Sequence, residues 1–268
     1  MTDFLAYSFV QRALVTGLLL GVMCAVLSFF VVIRRMAFVG VGLSHAALGG
    51  VAVGLVLGLP PLVSAALFTV GVAWVVGWLR GRAEVSEDTA IGVFFPTSMA
   101  LGVILISVTP AYRQDLMAYL FGNILSVRPD EVLPLAVLCV VGLGLIGMYF
   151  KELLFLGVDE EAARAAGLPA GRLRFLLLTL LAVTIVAAVR LVGIVLVSAF
   201  LVIPAATGQA VARSLGTMLV TAVVSALVSV VVGLWLSWSW NLPSGAAIVL
   251  VSAVLFFLAL ARGRRRAA

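Results

Sequence analysis

The sequence is built from long apolar runs that recur from one end of the chain to the other, and this feature constrains the fold most. An α-helix rises about 1.5 Å per residue, so a run of about 20 residues crosses the ~30 Å hydrocarbon layer of a membrane. Hydrophobic residues make up 64% of the chain and charged residues only 10%, whereas a soluble domain carries about 25% charged residues. We therefore predict an all-α fold, a polytopic bundle of transmembrane helices.

The apolar runs predict nine spans and leave no stretch for a soluble domain, so residues 1–268 are predicted to form a single transmembrane domain. The second run is short and rich in glycine, and a bundle of eight spans is therefore the alternative. The predicted spans cover residues 10–33, 39–58, 62–79, 89–108, 131–150, 173–189, 191–211, 216–237 and 243–261.

The basic residues orient these spans, because loops rich in Lys and Arg face the cytoplasm. With the N-terminus outside and the spans alternating, thirteen of the seventeen basic residues lie inside, and the C-terminus is cytoplasmic. The net charge of +6 then reflects basic loops facing anionic lipid, so membrane lipid is a predicted partner and no nucleic acid is required. The inside set is Arg34, Arg35, Arg80, Arg82, Lys151, Arg164, Arg172, Arg174, Arg213, Arg262, Arg264, Arg265 and Arg266, and the outside set is Arg12, Arg113, Arg128 and Arg190.

The longest polar stretch is the predicted cytoplasmic loop of residues 151–174. Its centre, "DEEAARAAG", is typical of a short helix, because acidic residues favour a helix N-terminus and a glycine followed by a proline ends one. Such a helix could lie in the membrane interface or dock into another protein. Its apolar face consists only of alanines, which anchor poorly in a bilayer.

Two spans carry features of tightly packed or bent helices. In the second span, small residues recur at every fourth position, which indicates a close helix–helix contact. His45 lies in the neighbouring row, so we expect it to face protein or a cavity rather than lipid. In the seventh span, Pro204 removes a backbone hydrogen bond, and we expect a kink or break near residue 200. The small residues are Gly42, Ala46, Gly50, Gly54 and Gly58.

The motifs of several enzyme classes are missing from the sequence. There is no G-x-x-x-x-G-K-[ST] phosphate-binding loop, no H-E-x-x-H pair and no G-x-S-x-G motif. Ser44 and His45 are adjacent, so on a helix they point about 100° apart and do not form a nucleophile–base pair. The spans also lack the buried carboxylates of a proton-coupled antiporter. We therefore predict no catalytic residues and favour a transport role over an enzyme.

Five segments, taken together, resemble the membrane permeases of ABC importers for zinc, manganese and iron, the ABC-3 type metal permeases. "GLSHAALGGVAVG" is similar to their S-H-A-x-x-x-G segment, and "SEDTAIGVFFPTSMALGVIL" to their E-D-x-x-I-G…A-L-G-V-x-L segment. "DLMAYLFGNILSV" and "VGIVLVSAFLVIPAATG" resemble two further elements, and "GVDEEAARAAGLPAGRL" lies where that family has its cytoplasmic coupling helix. The segments occur in the family's order and spacing.

The resemblance implies an ATP-driven importer of a divalent metal ion or a metal chelate, in a bacterial or archaeal plasma (inner) membrane. It implies a homodimer of permeases, a cytoplasmic ATPase dimer on separate chains and an extracytoplasmic metal-binding protein. ATP would be bound and hydrolysed on the partner, and the metal is cargo. A channel or secondary carrier of similar composition is the alternative. The implied ATPase-coupling residues are Asp159, Glu160, Glu161, Ala162, Arg164 and Gly167.

His45 and Ser44 are the implied substrate-pathway residues, and His45 is the implied metal ligand. Members of the family often carry a carboxylate four residues before the histidine, whereas position 41 is valine in this sequence. Three interpretations of His45 follow. It contacts the metal, alone or with Ser44 or its symmetry mate; it donates a hydrogen bond across the small-residue seam; or the protein transports a chelated metal and needs no ligand for a bare ion. For Ser44, a hydrogen bond to a carbonyl of its own helix is the alternative role.

Overall fold

A computed structural model describes residues 6–82, 86–107 and 124–264. Within these ranges the chain is helical, with twelve α-helices and one 3-10 turn, Ile124–Ser126. The helices are α1 (Ser8–Ile33), α2 (Ala37–Leu57), α3 (Pro61–Arg82), α4 (Glu87–Ser107), α5 (Pro129–Met148), α6 (Phe150–Val158), α7 (Glu160–Ala165), α8 (Ala170–Val192), α9 (Ile194–Phe200), α10 (Ile203–Val211), α11 (Leu215–Trp240) and α12 (Ser244–Arg264).

Nine helical segments in the described residues are long and apolar enough to cross a membrane, which confirms the predicted all-α transmembrane fold. The short second run forms a full helix, α2, and α9 and α10 together make the seventh span. Of the segments noted in the sequence, residues 115–123 of "DLMAYLFGNILSV", Arg113, Arg265 and Arg266 lie outside the described residues.

The spans form two packed groups. In the first, α2 lies between α3 and α4, and α8 packs against α3. In the second, α11 contacts α1, α10 and α12, and α5 packs against α1. The bundle has an arginine-rich end, where α1 and α3 end and α4 and α8 begin. At the opposite end, Arg12 donates to the carbonyl of Val127 over 3.2 Å.

The small-residue row of α2 and the adjacent Gly49 lie in close contact with two different helices. A Cβ atom at Gly50 would lie 2.7 Å from the Cα of Ala65 on α3, and one at Gly49 would lie 2.8 Å from the carbonyl oxygen of Ser98 on α4. Gly58 instead ends α2 in the left-handed region, at φ 66°. The glycines therefore allow two neighbours to approach α2 at once.

The seventh span is broken, as its proline predicts. The span follows α8, to which it is joined by Gly193, and the φ of 83° at this residue favours glycine. α9 ends at Phe200, and α10 starts at Ile203 after two intervening residues. Pro204 lies in its first turn, where the missing N–H costs no helical hydrogen bond. The break at Leu201 and Val202 thus separates two short helices within one span.

Candidate functional site

His45 lies on α2, half-buried, with its ring against Phe95 of α4. The two ring centroids are 4.7 Å apart and the rings are nearly perpendicular, at 73°. Nδ1 of His45 is 2.9 Å from the carbonyl oxygen of Val41, one turn earlier on the same helix. The hydrogen bond therefore stays within α2 and does not cross the small-residue seam, and the ring is held by one backbone contact and one aromatic contact.

This hydrogen bond fixes which ring nitrogen of His45 can bind a cation. A carbonyl oxygen only accepts, so Nδ1 carries the proton and donates it to Val41. In a neutral imidazole the other nitrogen, Nε2, then holds a free lone pair. The valine at position 41 provides no side-chain ligand, but its backbone oxygen sets the tautomer that a metal-binding histidine needs.

Ser44 is not brought together with His45. It is fully buried, and its Oγ donates to the carbonyl of Gly40 over 2.7 Å. This is the hydrogen bond to its own helix that the sequence offered as the alternative to a substrate contact. Among the described residues, no three His, Cys, Asp or Glu side chains come together as a metal site.

The second candidate region is α7, whose ends are set by its own sequence. Asp159 caps the N-terminus, since its Oδ1 accepts from the N–H of Ala162 over 2.9 Å. At the other end Gly167 has φ 82°, and the N–H groups of Gly167 and Leu168 donate to Arg164 and Ala163. This pair of hydrogen bonds is a Schellman motif. The structure confirms the short helix that "DEEAARAAG" predicts, and its capped ends hold six residues in one conformation.

Glu160 points from α7 into the bundle, where it joins three charged side chains from other helices. Arg174 of α8 contacts Glu160 through Nη2 and lies 3.5 Å from Oε1 of Glu87 on α4 through Nε. Arg34, which follows α1, lies 3.3 Å from the same oxygen of Glu87 and 4.0 Å from Glu160. We call these four residues, Arg34, Glu87, Glu160 and Arg174, the buried ion cluster.

The cluster lies almost entirely out of solvent. The side chains of Arg34 and Glu87 are each 6% exposed, that of Arg174 is 3% exposed and that of Glu160 is 17% exposed. Arg174 also donates to the carbonyl of Gly77 on α3 over 3.3 Å. Two positive and two negative side chains therefore meet where α1, α3, α4, α7 and α8 converge.

The electrostatics of the cluster favour its ionised form. Burial by itself raises the pKa of Glu160, but Arg174, Arg164 and Arg34 outweigh burial and hold the pKa below its usual value. Burial lowers the pKa of Arg34, and Glu87 and Glu160 oppose that shift. Arginine stays protonated through such changes. Glu160 is therefore a carboxylate at neutral pH, and the cluster carries balanced charge.

The other predicted coupling residues face outward or support the fold of α7. Glu161 and Arg164 are exposed, Ala162 is half-buried and Gly167 is exposed at the helix end. Ala163, which the sequence did not single out, is fully buried and attaches α7 to the core. One side of α7 is thus packed on the bundle, while Glu161 and Arg164 are on the exposed side, where Arg164 also forms an ion pair with Glu160 over 2.5 Å.

The sequence did not identify Arg34, Glu87 and Arg174 as parts of a site. It assigned the two arginines to membrane orientation alone and placed Glu87 at the start of a span. Their partners are distant along the chain, with Arg34 and Glu87 separated by 53 residues. Only the packing of the helices brings them together, although a Glu–Asp pair opening an apolar span was a signal.

The fold and these two regions define a class of protein, a multi-spanning membrane subunit with a rigid, partly exposed helix at one end. The ABC 3 transport family matches residues 6–263, and the chain belongs to this family. It is a metal ABC transporter permease, and relatives of it are named as membrane proteins of manganese, zinc or iron transport systems.

Relatives of known name agree with the family. The manganese transport system membrane protein MntC of Listeria monocytogenes is 37% identical over 97% of this chain and 92% of its own length. The high-affinity zinc uptake system membrane protein ZnuB of Haemophilus influenzae is 34% identical over 94% of this chain and 97% of its own. The solved structure of PsaBC from Streptococcus pneumoniae in complex with Fab superposes with a TM-score of 0.84, at 34% identity over 96% of this chain and 94% of that one.

Proposed function

We propose that this chain is the membrane subunit of an ATP-driven importer that moves a divalent manganese, zinc or iron ion, or a chelate of one, into the cytoplasm. The observation that carries the proposal is α7, a capped helix fixed to the arginine-rich end of a metal permease fold with its outer side exposed. A rigid element of this kind can transmit a partner's movement to the bundle, whereas a flexible loop would absorb it.

The arginine-rich end is proposed to face the cytoplasm, with the N-terminus outside. The positive-inside rule supports this orientation, because Arg34, Arg80, Arg164 and Arg174 all lie at that end. The membrane would be the plasma (inner) membrane of a bacterium or archaeon. Bacteria are the source of the manganese and zinc relatives and of the solved PsaBC structure.

We propose that two copies of the chain form the pathway and that each presents α7 to one subunit of a cytoplasmic ATPase dimer. The exposed Glu161 and Arg164 suit such a contact, because a partner groove can pair with both charges. ATP would be hydrolysed on that partner. An extracytoplasmic binding protein would deliver the metal to the opposite end.

His45 is proposed to contact the metal during its passage, through Nε2. The hydrogen bond to Val41 leaves this nitrogen as the ligand atom, and imidazole suits zinc and other borderline divalent ions. A single strong ligand from each chain binds a cation weakly enough for it to leave again. The buried Ser44 hydroxyl, already bonded to Gly40, is not expected to take part.

The test is reconstitution of the permease with the ATPase and binding protein encoded beside it. We expect the ATPase to co-purify with the detergent-solubilised permease and the proteoliposomes to accumulate Mn²⁺ or Zn²⁺ only when ATP is supplied. Arg164→Ala should weaken the co-purification, since it removes an exposed charge from α7. Metal accumulation without ATP or ATPase would instead identify a channel or a secondary carrier.

A further inference from the structure

We propose that Arg34, Glu87 and Arg174 are positioning residues for transport: the buried ion cluster transmits the displacement of α7 to α4, the helix that bears Phe95 against His45. This inference rests on the proposed function. It assigns a role to three residues that neither the family nor the sequence motifs assign, and it names the route by which one end of the molecule acts on the pathway.

The buried ion cluster joins three helices, α7, α8 and α4. Glu160 is on α7, Arg174 near the start of α8 and Glu87 at the first residue of α4. Arg174 forms ion pairs with both glutamates through different nitrogens: Nη2 contacts Glu160, and Nε lies 3.5 Å from Oε1 of Glu87 without forming a hydrogen bond. The guanidinium of Arg174 is therefore the bridge between α7 and α4.

Separating the opposite charges of the cluster is energetically unfavourable. Glu160 pairs with Arg34, Arg174 and the partly exposed Arg164, so removing this carboxylate leaves the two buried arginines with Glu87 as their one remaining ion-pair partner in the cluster. An uncompensated buried charge is strongly unfavourable. A partner that displaces α7 is therefore expected to displace Arg174 and Glu87 with it rather than to break the contacts.

The contacts of the cluster are not those that would give the fold the greatest stability. Oε1 of Glu87 serves both Arg34 and Arg174, and Nη1 of Arg34 is buried without a hydrogen-bond partner. Partly satisfied buried networks stabilise a fold less than apolar packing does. Residues that cost stability in this way are better explained by a requirement for movement.

A cavity beside the cluster gives its side chains space to move. A cavity of about 320 Å³ borders the cluster, lined in part by Arg34, Arg80, Glu87, Asp88 and Glu160. Arg80 and Asp88 extend the charged surface beside the four cluster residues. The side chains of Arg34, Glu87 and Glu160 can therefore shift into this space while opposite charges remain nearby.

α4 connects the cluster to His45, because it carries both Glu87 and Phe95. Phe95 lies about two turns after Glu87 on α4, and its ring is 4.7 Å from that of His45. α4 is one helix from Glu87 to Ser107, and Pro96, which cannot donate a backbone hydrogen bond, comes only after Phe95, so the helical turns between Glu87 and Phe95 are uninterrupted. A shift at the start of α4 therefore moves the aromatic contact that helps to orient His45.

The experiment compares variants of Arg174 with Arg172→Gln in the reconstituted transporter of permease, ATPase and binding protein. Arg172 is on the same helix, is exposed and forms no described ion pair, so it is the matched control. Two quantities are measured in proteoliposomes, the rate of ATP hydrolysis and the number of Mn²⁺ ions accumulated per ATP. A purely structural residue would change the rate of ATP hydrolysis in proportion to the amount of intact complex and would leave the number of ions accumulated per ATP unchanged.

Arg174→Lys is the decisive variant, because it keeps the charge while one ammonium group cannot reproduce the two-sided contact of a guanidinium. We expect assembly and ATP hydrolysis to stay close to the control, while ions per ATP fall by about tenfold, a change typical of coupling between sites. Glu87→Gln should give the same pattern. Equal ions per ATP in Arg174→Lys, Arg174→Gln and the control would overturn the proposal.

A second measurement covers the case in which Arg174→Gln does not fold. The paired variant Glu160→Gln with Arg174→Gln removes one charge of each sign, so it should assemble better than Arg174→Gln while giving the same low number of ions per ATP. Ions per ATP equal to the control, with an intact complex, would count against the cluster as the link. Failure of the wild type to assemble with its ATPase or to accumulate metal would contradict the proposed function instead.

Discussion

The ring of His45 is oriented by two contacts of different kinds, a backbone carbonyl on its own helix and an aromatic ring on the next. The carbonyl of Val41 sets the tautomer, and Phe95 restricts the plane of the ring. The consequence is that Nε2 is presented in one direction. A side chain that only packed between helices would not need this constraint on its second nitrogen.

Substitution of His45 can distinguish a metal ligand from a residue that only packs between helices. His45→Gln keeps a polar side chain of similar length that can still donate to the Val41 carbonyl, but it lacks an imidazole nitrogen. We expect both His45→Gln and His45→Ala to lower Mn²⁺ uptake by about tenfold or more, as loss of a functional hydrogen bond or ligand commonly does, with ATPase co-purification unchanged. Normal uptake by His45→Gln together with reduced uptake by His45→Ala would identify a packing residue.

The sequence could predict the individual residues of α7 but not their contacts. Asp159 and Gly167 act locally, as a cap and a helix end, and local chemistry is visible in a short window of sequence. Glu160 depends on Arg174 and Arg34, which reach it only through the packing of three helices. Its inward orientation therefore could not be deduced from helix periodicity, which places Glu160 and Glu161 alike at the start of a helix.

At the scale of elements, the contacts of α2 show what a row of glycines achieves in a membrane bundle. Lipid tails are as apolar as the helices, so helix association depends on close approach rather than on the hydrophobic effect. Gly50 meets the backbone of α3, and Gly49 meets the backbone of α4. Periodicity predicted the tight contact, but it could not show that adjacent glycines serve different neighbours.

Gly50→Ala should weaken the contact between α2 and α3. The added methyl group would lie 2.7 Å from the Cα of Ala65, and backbone cannot rotate away as a side chain can. We expect a loss of about 1–3 kcal/mol in stability, the usual range for overpacking, measured as a lower Tm in detergent. Gly144→Ala on α5 is the control, because a Cβ there has nothing within 4 Å. Equal Tm values for the two variants would contradict the tight contact.

The broken seventh span is the element that the sequence predicted best, because its cause is covalent. Proline lacks the donor that a continuous helix requires, whatever surrounds it. The structure adds the bounds of the two halves, α9 and α10, and the positive φ of Gly193 between α8 and α9. Those details depend on how α10 packs against α11 and α12 and could not follow from the proline alone.

For the whole molecule, hydrophobic run length was sufficient to predict the class of fold and the spans. The physical reason is that the bilayer thickness fixes helix length almost independently of packing. The mutual arrangement of the spans has no comparable local determinant. It depends on which faces match, and composition alone cannot distinguish a face against lipid from a face against protein.

The proposed orientation of the molecule can be checked by labelling introduced cysteines. Gly216→Cys lies in an exposed, open position after α10, toward the predicted inside, and Asp130→Cys lies at the opposite end. Because the two native cysteines, Cys24 and Cys139, are buried, background labelling should be low. We expect an impermeant maleimide to label Asp130→Cys in intact cells and Gly216→Cys only in inverted vesicles.

Labelling with the opposite pattern would reverse the orientation, and labelling of both variants from one side would contradict the alternation of spans. A parallel measurement on unmodified protein checks that Cys24 and Cys139 stay unreactive. The result bears on the whole architecture, because an odd number of spans requires the two termini to lie on opposite sides.

The buried ion cluster also has a consequence for biosynthesis. A chain emerges from the ribosome N-terminus first, so Arg34 is made well before Glu87, which is 53 residues further along. Arg174 follows still later, 97 residues after the Gly77 carbonyl to which it donates. The five spans before α8 must therefore enter the membrane with this end of the bundle incomplete, and it is completed only when α8 is inserted. That end of the bundle is therefore complete only after more than half of the protein has been inserted.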